Sequence, residues 1–557
     1  MAKRAKNTVA AGPPVWIWPA LAAVAALAYL PAMDAPFLFD DLTSPVLQPE
    51  GSPPLTQMLR SSRPLYYASL WLDRQAFGLS AGPMHVVSLA LHLLNACLML
   101  GVLKKLCGLA GVDEGKRGWL AAAGAGIFLL HPVMTEAVSY IASRGEVLSL
   151  FFALAAYRVF LGAERIGVGR AMAVVLLFGL AAGSKEHSFA LLGVMVLTAV
   201  WFGQSVTDGL KARAMALAPL VAGGVAGAAY VFKAVGTQAT AGFGVEGVTP
   251  LTYLATQCQV VWRYVLMFVL PWGMNIDHGM AFAKSWAEPL TIAGAAAGVA
   301  ATAAAVRYRR EWALAGFGWL AFVMLVAPTS SVIPIADAMA DRRLYFSSLG
   351  LVAVAVEVMR RAKWPDVKTA GAAAGVMVAL AGLTWSRNQD YESAERMWRA
   401  SVEANPMNSR ARFQLAHAMY AEGSCAESAA EYSEAHRLGQ KGADLLVDWA
   451  LALDCAGQAG EAEARLKEAV AADAESYHAR STLGMVLAKQ GKLEAALEEL
   501  NEAIRMNGGF DMTWAYRGNV LLMMGRSGEA AGDFKRALEL NAENPVAQKG
   551  LAAALAR

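Results

Sequence analysis

The sequence predicts an all-α protein in which a bundle of membrane helices is followed by an α-solenoid of helical repeats. Of its 557 residues, 56% are hydrophobic and 17% are charged, and the mean hydropathy is +0.39. A soluble protein of this size does not need so much apolar surface, so the composition indicates an integral membrane protein. The long apolar stretches end near residue 385, and small residues recur every 34 positions beyond it. We therefore predict two domains, 1–385 and 386–557.

The charge is divided unevenly between these two parts. From Trp385 onward there are 19 Lys and Arg residues against 25 Asp and Glu residues, a net charge of −6. The whole chain carries +3, so the membrane part carries about +9. That balance fits basic cytoplasmic loops beside anionic lipid, and it gives no reason to expect a nucleic-acid partner.

The apolar stretches of the first domain predict a multi-pass bundle. Met1–Asn7 is basic and is followed by an apolar stretch without a clear cleavage site before Asp34, which predicts a retained first span rather than a signal peptide. Segment 252–271 contains Gln257, Gln259 and Arg263 and is interpreted as a re-entrant or interfacial helix. A spanning helix needs roughly 20 apolar residues, and about 11 stretches approach that length: 15–33, 84–106, 118–131, 137–161, 170–183, 187–203, 213–235, 289–306, 312–328, 345–360 and 367–385.

Basic residues between the spans predict the orientation. The clusters that belong inside are Lys3, Arg4, Lys6, Lys104, Lys105, Lys116, Arg117, Lys211, Arg213, Arg307, Arg309, Arg310, Arg360, Arg361 and Lys363. The N-terminus is then cytoplasmic, and the repeats lie outside the cytoplasm. Composition favours a bacterial inner membrane with periplasmic repeats, although the endoplasmic reticulum would give the same topology. The polar segments assigned to the outer face are 34–83, 131–136, 184–187, 236–251, 272–288 and 329–344.

The C-terminal repeats follow a regular pattern of glycine and alanine. Gly423, Gly457, Gly491 and Gly525 are 34 residues apart, as are Ala435, Ala469, Ala503 and Ala537. This period is the tetratricopeptide signature, and such solenoids form grooves that hold peptides. The alternative is an array that scaffolds other membrane proteins or dimerises. Cys425 and Cys455 lie in neighbouring repeats, where a disulfide is conceivable. The predicted full repeats are 410–443, 444–477, 478–511 and 512–545, after a partial repeat whose second helix is Gln389–Asn405.

Two adjacent carboxylates, Asp40 and Asp41, follow the first span. Like charges in a low dielectric raise one pKa, which is how a general base is tuned. The alternative is that Asp41 caps a short helix and Asp40 is solvated.

Three further outer-face motifs contain ionisable residues. His131-Pro132 leads to Glu136, Arg144 and Glu146, and the eight residues from Glu136 to Arg144 predict a shared helical face. Arg144 could bind a phosphate bidentately, or it could pair with Glu136 or Glu146. The other two motifs are Lys185-Glu186-His187, which could also be a hydrated turn, and Asp341-Arg342-Arg343-Leu344-Tyr345, whose arginines could meet a lipid phosphate or ordinary headgroups.

His85, His92 and Asn95 lie on the second predicted span. The two histidines are one heptad apart and share a face. Without a third ligand they are weak evidence for a metal, and buried polar packing is the preferred interpretation.

The order of these motifs resembles that of a known family. Asp40-Asp41, Arg63-Pro64-Leu65, His92 with Asn95, the His131 to Glu146 run, Lys185-Glu186 and Asp341 to Tyr345 occur in sequence before a tetratricopeptide tail. This resembles the transmembrane-and-tetratricopeptide O-mannosyltransferases and their bacterial relatives, within the GT-C glycosyltransferase superfamily. The resemblance implies a polyprenyl-phosphate-linked sugar as donor and a hydroxyl acceptor on the outer face. Asp341 stands where relatives often have a histidine, and at this position the chain departs from the pattern of the mannose-transferring relatives.

The resemblance implies Asp40 as catalytic base, with Asp41 as its neighbour. We expect a single inverting displacement in which cations stabilise the negative charge of the leaving lipid phosphate. Arg144 is the first candidate for this role, and the further candidates are Arg342, Arg343, Lys185 and Arg63. No nucleotide-binding loop occurs, no cofactor is assigned, and a metal is not required if arginine covers the phosphate. The competing hypotheses are a non-catalytic scaffold, a transporter or lipid-handling protein, and a polysaccharide polymerase or ligase. The supporting residues expected around the site are His131, Glu136, Glu146, Glu186, His92 and Tyr345.

Overall fold

A computed structural model of the protein describes residues 12–49, 51–235, 241–245, 247–362 and 367–556. Within these ranges the chain is helical, and the only β pairing is an isolated antiparallel bridge between Ala241 and Ile335. The all-α prediction is confirmed. The basic residues Lys3, Arg4, Lys6 and Lys363 lie outside the described residues. The chain divides into two compact units, Met1–Met397 and Trp398–Arg557.

Most helices of the N-terminal unit overlap the predicted apolar stretches, whereas Leu55–Met58, Pro64–Phe77 and Pro250–Val269 lie outside them. Among the described residues the helices of this unit are α1 (Ile17–Tyr29), α2 (Leu55–Met58), α3 (Pro64–Phe77), α4 (Ala81–Leu109), α5 (Glu114–Leu130), α6 (Thr135–Ser139), α7 (Arg144–Phe160), α8 (Val168–Ser184), α9 (Leu191–Trp201), α10 (Val206–Val235), α11 (Pro250–Val269), α12 (Pro289–Arg307), α13 (Ala313–Val326), α14 (Arg343–Arg361) and α15 (Val367–Gln389). Short 3₁₀ helices cover Leu30–Ala32, Phe39–Thr43, Pro132–Met134, Ile141–Ser143 and Glu186–Ala190.

Few of these helices are long and apolar enough to cross a membrane by themselves. In the described part of the chain two qualify, α4 and α12, and a third does if α5 and Pro132–Ser139, which meet at 55°, form one bent span. Other apolar helices are shorter, among them α8, α13 and the stretch Glu186–Trp201. The prediction of about 11 spans is therefore not confirmed, because many stretches fold into helices shorter than the roughly 20 residues that a bilayer requires.

The predicted span 137–161 is broken. Helix α6 ends at Ser139, Tyr140 is extended with φ −103° and ψ 113°, and α7 begins at Arg144. The expectation that Glu136 and Arg144 share a helical face is therefore wrong, because they lie on two helices separated by this break.

Helix α11 forms hydrogen bonds with one loop at two positions along its length. Near its start the Tyr253 hydroxyl donates to the Thr329 carbonyl at 2.7 Å. Further along, the Tyr264 hydroxyl donates to the Ala340 carbonyl at 3.1 Å. Two tyrosines of α11 thus contact segment 329–340, and the interpretation of 252–271 as a re-entrant or interfacial helix stays a prediction.

The repeat unit consists of antiparallel helix pairs. The four turn glycines have φ between +78° and +84°, a left-handed conformation that suits glycine, and all four of the repeating alanines are fully buried. The tetratricopeptide prediction is confirmed. After α16 (Ala394–Ala404), which crosses the boundary between the units, the pairs are α17 (Ser409–Ala421) with α18 (Cys425–Arg437), α19 (Ala443–Cys455) with α20 (Ala459–Ala472), α21 (Tyr477–Lys489) with α22 (Leu493–Met506), and α23 (Asp511–Met523) with α24 (Ser527–Leu540), followed by α25 (Pro545–Leu555).

A disulfide joins the first two full repeats. It links Cys425, at the start of α18, to Cys455, at the end of α19, with a Cα–Cα distance of 5.7 Å. The pairing that the sequence left open is therefore present in the structure.

Candidate functional site

The acidic pair lies on a strained turn that is fixed to the break between α6 and α7. Phe39 has a φ of +39°, which is uncommon for a residue other than glycine and tends to occur at functional sites. The Asp41 carboxylate accepts hydrogen bonds from the Leu38 amide at 2.9 Å and the Ala142 amide at 2.6 Å. The Asp40 amide donates to the Tyr140 hydroxyl at 2.7 Å. Tyr140 and Ala142, at the break between α6 and α7, thus hold the acidic turn in place through hydrogen bonds.

The two carboxyl groups have different environments. Burial raises the pKa of Asp41 to about 7, and the neighbouring Asp40 charge adds to this, whereas the Leu38 and Ala142 amides and Arg144 oppose it. Asp41 thus caps the 3₁₀ helix, as one sequence-based alternative proposed. The Asp40 side chain is exposed, and among the described residues none donates a hydrogen bond to its carboxylate. Asp41 therefore holds the turn, and Asp40 is open to a substrate.

A cluster of ion pairs assembles from α3, α7 and the turn between α8 and α9. Arg63 binds Glu186 through two hydrogen bonds of 2.8 and 2.5 Å, and about a third of each side chain is exposed. Lys185 Nζ lies 3.1 Å from Glu146, and His187 Nε2 lies 3.2 Å from the same carboxylate. Burial lowers the pKa of Lys185, and the Glu146 charge opposes that change.

A further pair connects this cluster to the acidic turn. Glu136 accepts a hydrogen bond from the Arg342 amide at 2.8 Å and another from its guanidinium at 2.5 Å. Arg342 is also within electrostatic range of Glu146, Lys185 and the Tyr140 hydroxyl. Three cations and three carboxylates from distant parts of the sequence therefore form one set of charged side chains, and Tyr140 links that set to Asp40. We call this set the charged cluster, and its members are Arg63, Glu136, Glu146, Lys185, Glu186 and Arg342.

The Arg144 side chain contacts residues of α3 and α4 and does not belong to the charged cluster. It is fully buried and forms an ion pair with Asp73 of α3, and it also donates to the Ser88 hydroxyl at 3.1 Å and the Met84 carbonyl at 2.6 Å. The alternative in which Arg144 pairs with Glu136 or Glu146 is wrong, because the break places Arg144 against α3 and α4.

His92 and Tyr345 belong to a buried polar network. His92 Nδ1 lies 2.8 Å from the Tyr345 hydroxyl, which also accepts a hydrogen bond from Asn95 Nδ2 at 3.0 Å. Asn95 donates in addition to the Val147 carbonyl at 2.9 Å. The network ties α4 to α14 and α7, which agrees with the interpretation of His92 and Asn95 as buried polar packing.

His131 and Arg343 also form hydrogen bonds with backbone carbonyl groups of neighbouring segments. His131 Nε2 lies 2.9 Å from the Phe268 carbonyl, and its ring stacks on Phe268 with centroids 4.8 Å apart. The Arg343 guanidinium donates to the carbonyls of Asp337 at 2.6 Å and Ala338 at 3.0 Å. Arg343 thereby shapes the loop that presents Arg342.

A second acidic group, Asp341, pairs with a histidine that the sequence analysis did not select. Its carboxylate lies 2.6 Å from His278 Nε2 and accepts the Asn275 amide at 3.0 Å. Burial alone would lower the pKa of His278, but the charge and hydrogen bond of Asp341 raise it.

Three contributors to the site were missed from the sequence. Asp73 sits within segment 34–83, which was treated as a loop although it contains α3. Tyr140 was hidden inside a predicted continuous span, and His278 stands alone in a polar loop. The Asp73–Arg144 pair had one detectable signal, an isolated carboxylate on the amphipathic stretch Pro64–Phe77.

The chain is similar to proteins of two kinds. The tetratricopeptide repeat family matches residues 382–443 and 456–509. The protein O-mannosyl-transferase Tmtc3 of Drosophila melanogaster is 24% identical over 231 residues, covering 38% of this chain and 25% of the relative. The protein O-mannosyl-transferase F38B6.6 of Caenorhabditis elegans is 28% identical over 153 residues, covering 24% and 21%. Homology to these transferases is therefore distant and partial, and the chain aligns with a quarter or less of their length.

Two further proteins are similar to parts of the chain. DnaJ homolog subfamily C member 3 of Rattus norvegicus is 36% identical over 86 residues, covering 15% of this chain and 17% of the relative. Among solved structures, the tetratricopeptide protein YrrB, described as having an unusual peptide-binding site, is 17% identical and covers 35% of this chain and 95% of its own, with a TM-score of 0.25.

Proposed function

We propose that the protein is a membrane glycosyltransferase of the GT-C type that transfers a sugar from a polyprenyl-phosphate carrier to Ser or Thr hydroxyls of a protein on the non-cytoplasmic face. The observation that carries this proposal is an exposed Asp40 that Tyr140 links to the charged cluster. An accessible carboxylate together with several cations suits a reaction in which a hydroxyl loses a proton and a phosphate leaves. The distant similarity to protein O-mannosyl-transferases supports the same reaction class.

The reaction is a single inverting displacement. Asp40 accepts the proton of the acceptor hydroxyl while its oxygen attacks the anomeric carbon. The bond between that carbon and the phosphate oxygen breaks, and its electron pair remains on the lipid phosphate. Asp41 keeps Asp40 in place through the Leu38 and Ala142 amides.

Cations of the charged cluster bind the phosphate in this proposal. Arg342, Lys185 and Arg63 are each already paired with a carboxylate, so the cluster is preorganised before the donor arrives. An arriving phosphate stabilises the charged form of Lys185 against its burial. Arg144 has a positioning role, because its contacts with Asp73 and Met84 fix the start of α7.

The repeats recruit the acceptor. Helical solenoids hold extended peptides on their concave face. The disulfide between Cys425 and Cys455 supports a location outside the cytoplasm, because disulfides persist in oxidising compartments such as the periplasm.

Intact-mass analysis of envelope proteins tests this function in cells. Cells carry the wild type, Asp40→Asn, a null allele, or Asp34→Asn, which neutralises another exposed carboxylate of the same loop. We expect one or a few proteins to lose a hexose-sized mass in the null and Asp40→Asn cells and to keep it in Asp34→Asn cells. A modification that persists in Asp40→Asn cells would exclude Asp40 as the base.

The repeats favour a second candidate, a non-catalytic scaffold that assembles other envelope proteins. Four helix pairs with a buried alanine in each provide a docking surface without any chemistry. In that case the null would change no protein mass while envelope complexes dissociate, and Asp40→Asn would behave as the wild type.

A further inference from the structure

A second polar cavity lies at the opposite end of α7 from the acidic turn. It has a volume of about 520 Å³ and is enclosed by the end of α4, the start of α5, the end of α7 and the first half of α10. Arg158, which lines it, follows Arg144 by 14 residues of continuous helix, or about 21 Å at 1.5 Å per residue. The cavity is therefore separate from the charged cluster.

The cavity is lined by an excess of positive charge. Two carboxylates, Glu114 and Glu164, also face it. In the ranges that the structure describes, no ion pair joins either carboxylate to a cation of the lining. The five cations are Lys104, Lys105, Arg117, Arg158 and Arg213.

Arg213 is buried in the cavity wall, and one nitrogen of its guanidinium group has no hydrogen-bond acceptor. Its side chain belongs to a residue that is 7% exposed, its guanidinium lies 5.5 Å from the centre of the Phe160 ring, and its Nε is buried without a hydrogen-bond partner. A buried guanidinium nitrogen without an acceptor is unfavourable unless a ligand supplies one.

Two glycines of α4 lie beside the guanidinium groups of Arg158 and Arg117. A Cβ added to Gly101 would lie 3.0 Å from Arg158 Nε, and one added to Gly108 would lie 3.5 Å from Arg117 Nη1. Arg117 Nε is held by the Val112 carbonyl at 2.6 Å, so its orientation is set before any ligand binds. Both arginines thus lie against α4 and line the cavity, and the missing side chain of Gly101 gives Arg158 the room to do so.

We propose that this cavity binds a phosphate-bearing anion, as an anionic phospholipid headgroup or as free phosphate. Guanidinium groups match phosphate oxygens bidentately, and basic pockets between membrane helices suit anionic headgroups. The anion satisfies Arg213 Nε and relieves the mutual repulsion of the five cations. This proposal is independent of the transferase chemistry.

Binding measurements on the full-length protein in detergent test the site. The probes are phosphatidylglycerol, phosphatidylcholine and inorganic phosphate, with binding followed by native mass spectrometry and thermal unfolding. The pocket variant is Arg158→Gln/Arg213→Gln, and the control is Lys116→Gln/Lys211→Gln, which removes the same charge from exposed positions on α5 and α10. Arg158→Lys/Arg213→Lys keeps the charge and provides a second variant if the glutamines impair folding.

We expect the wild type to bind phosphatidylglycerol about tenfold or more tightly than phosphatidylcholine, since charged hydrogen bonds are involved. The pocket variant should lose this preference, the control should keep it, and the lysine variant should retain part of it. If inorganic phosphate competes, the anion is free phosphate or its equivalent; if only the lipid binds, the ligand is a headgroup. A wild type without preference for either phosphate-bearing probe, or equal losses in pocket and control variants, would overturn the proposal.

Discussion

Asp40 and Asp41 are adjacent in the sequence, yet their carboxyl groups have opposite surroundings. Asp41 is buried and accepts two backbone amides, whereas Asp40 is exposed beside them. A left-handed Phe39 orients the pair in this way. Strain of this kind, of order 1–3 kcal/mol, is retained where the surrounding contacts impose it.

The titration of Asp41 predicts a pH dependence of transfer. Because burial raises its pKa to about 7, Asp41 loses its proton as the pH rises through that value and then accepts both amides as a carboxylate. We expect the wild-type rate to rise between about pH 6 and pH 8, and Asp41→Asn to show no rise in that window. Initial rates across this range measure it; identical profiles for the two proteins would contradict it.

The pair Arg342–Glu136 allows structural and functional roles to be separated. Arg342→Gln leaves Glu136 buried without its partner, a change that destabilises by about 3–5 kcal/mol, whereas Arg342→Gln/Glu136→Gln removes both charges. We expect thermal stability to recover in the double variant and transfer to remain reduced by about 100-fold or more in both. Arg60→Gln, at an exposed position, is the control. Recovery of transfer in the double variant would show that Arg342 only stabilises the fold.

For individual residues, the sequence predicts which charged side chains belong to the site, but it does not predict which of them pair with each other. Adjacent motif residues such as Lys185 and Glu186 were selected because ionisable groups at apolar boundaries are unusual. Their partners, Glu146 and Arg63, come from distant positions, and such pairings depend on tertiary packing. The same holds for Arg144, which the sequence predicts as the first phosphate ligand: its ion-pair partner Asp73 lies 71 positions away in the sequence.

The break between α6 and α7 is the element on which the site depends. A continuous helix from 137 to 161 would satisfy the Ala142 amide internally, but the break leaves that amide to Asp41. Hydropathy does not reveal the break, because residues on both sides of it are buried and largely apolar. The repeat helices were easier to predict, since the turn glycine and the buried alanine recur at fixed spacing.

Helix α19 of the repeats contains an acidic residue that opposes stability. Burial raises the pKa of Asp448 and Asp444 adds to this, whereas His417 on α17 and His478 on α21 lower it. Since the folded pKa is the higher one, the ionised carboxylate destabilises the fold as the pH rises above the ordinary value of about 4.

Asp448→Asn should therefore stabilise the repeat unit near neutral pH and give no gain near pH 3. Thermal unfolding of the full-length protein, with hydrogen exchange in α19 as the local readout, measures the effect. Asp444→Asn, at an exposed position of the same helix, should give a smaller gain, because it removes only the repulsion that Asp444 exerts on Asp448. Equal effects of the two substitutions would indicate that burial of Asp448 is not the cause.

For the whole molecule, composition and periodicity predicted the helical class and the repeats. The number of membrane spans is a weaker inference, because helices shorter than the bilayer thickness depend on their neighbours for burial, which no sequence window records. The sequence partly indicates that the two polar sites are separated along α7. It predicts the basic clusters on the cytoplasmic face of the membrane and the acidic turn on the outer face.

Transfer by the purified protein tests the central claim most directly. Full-length wild type, Asp40→Asn and Asp34→Asn are each incubated with lipid-linked sugars extracted from host membranes and with envelope proteins from null cells. Acceptor mass and released polyprenyl phosphate are both measured. The account predicts that wild type and Asp34→Asn add one sugar for each polyprenyl phosphate released and that Asp40→Asn does neither. Transfer by Asp40→Asn at the wild-type rate, or no transfer by the wild type, would contradict it.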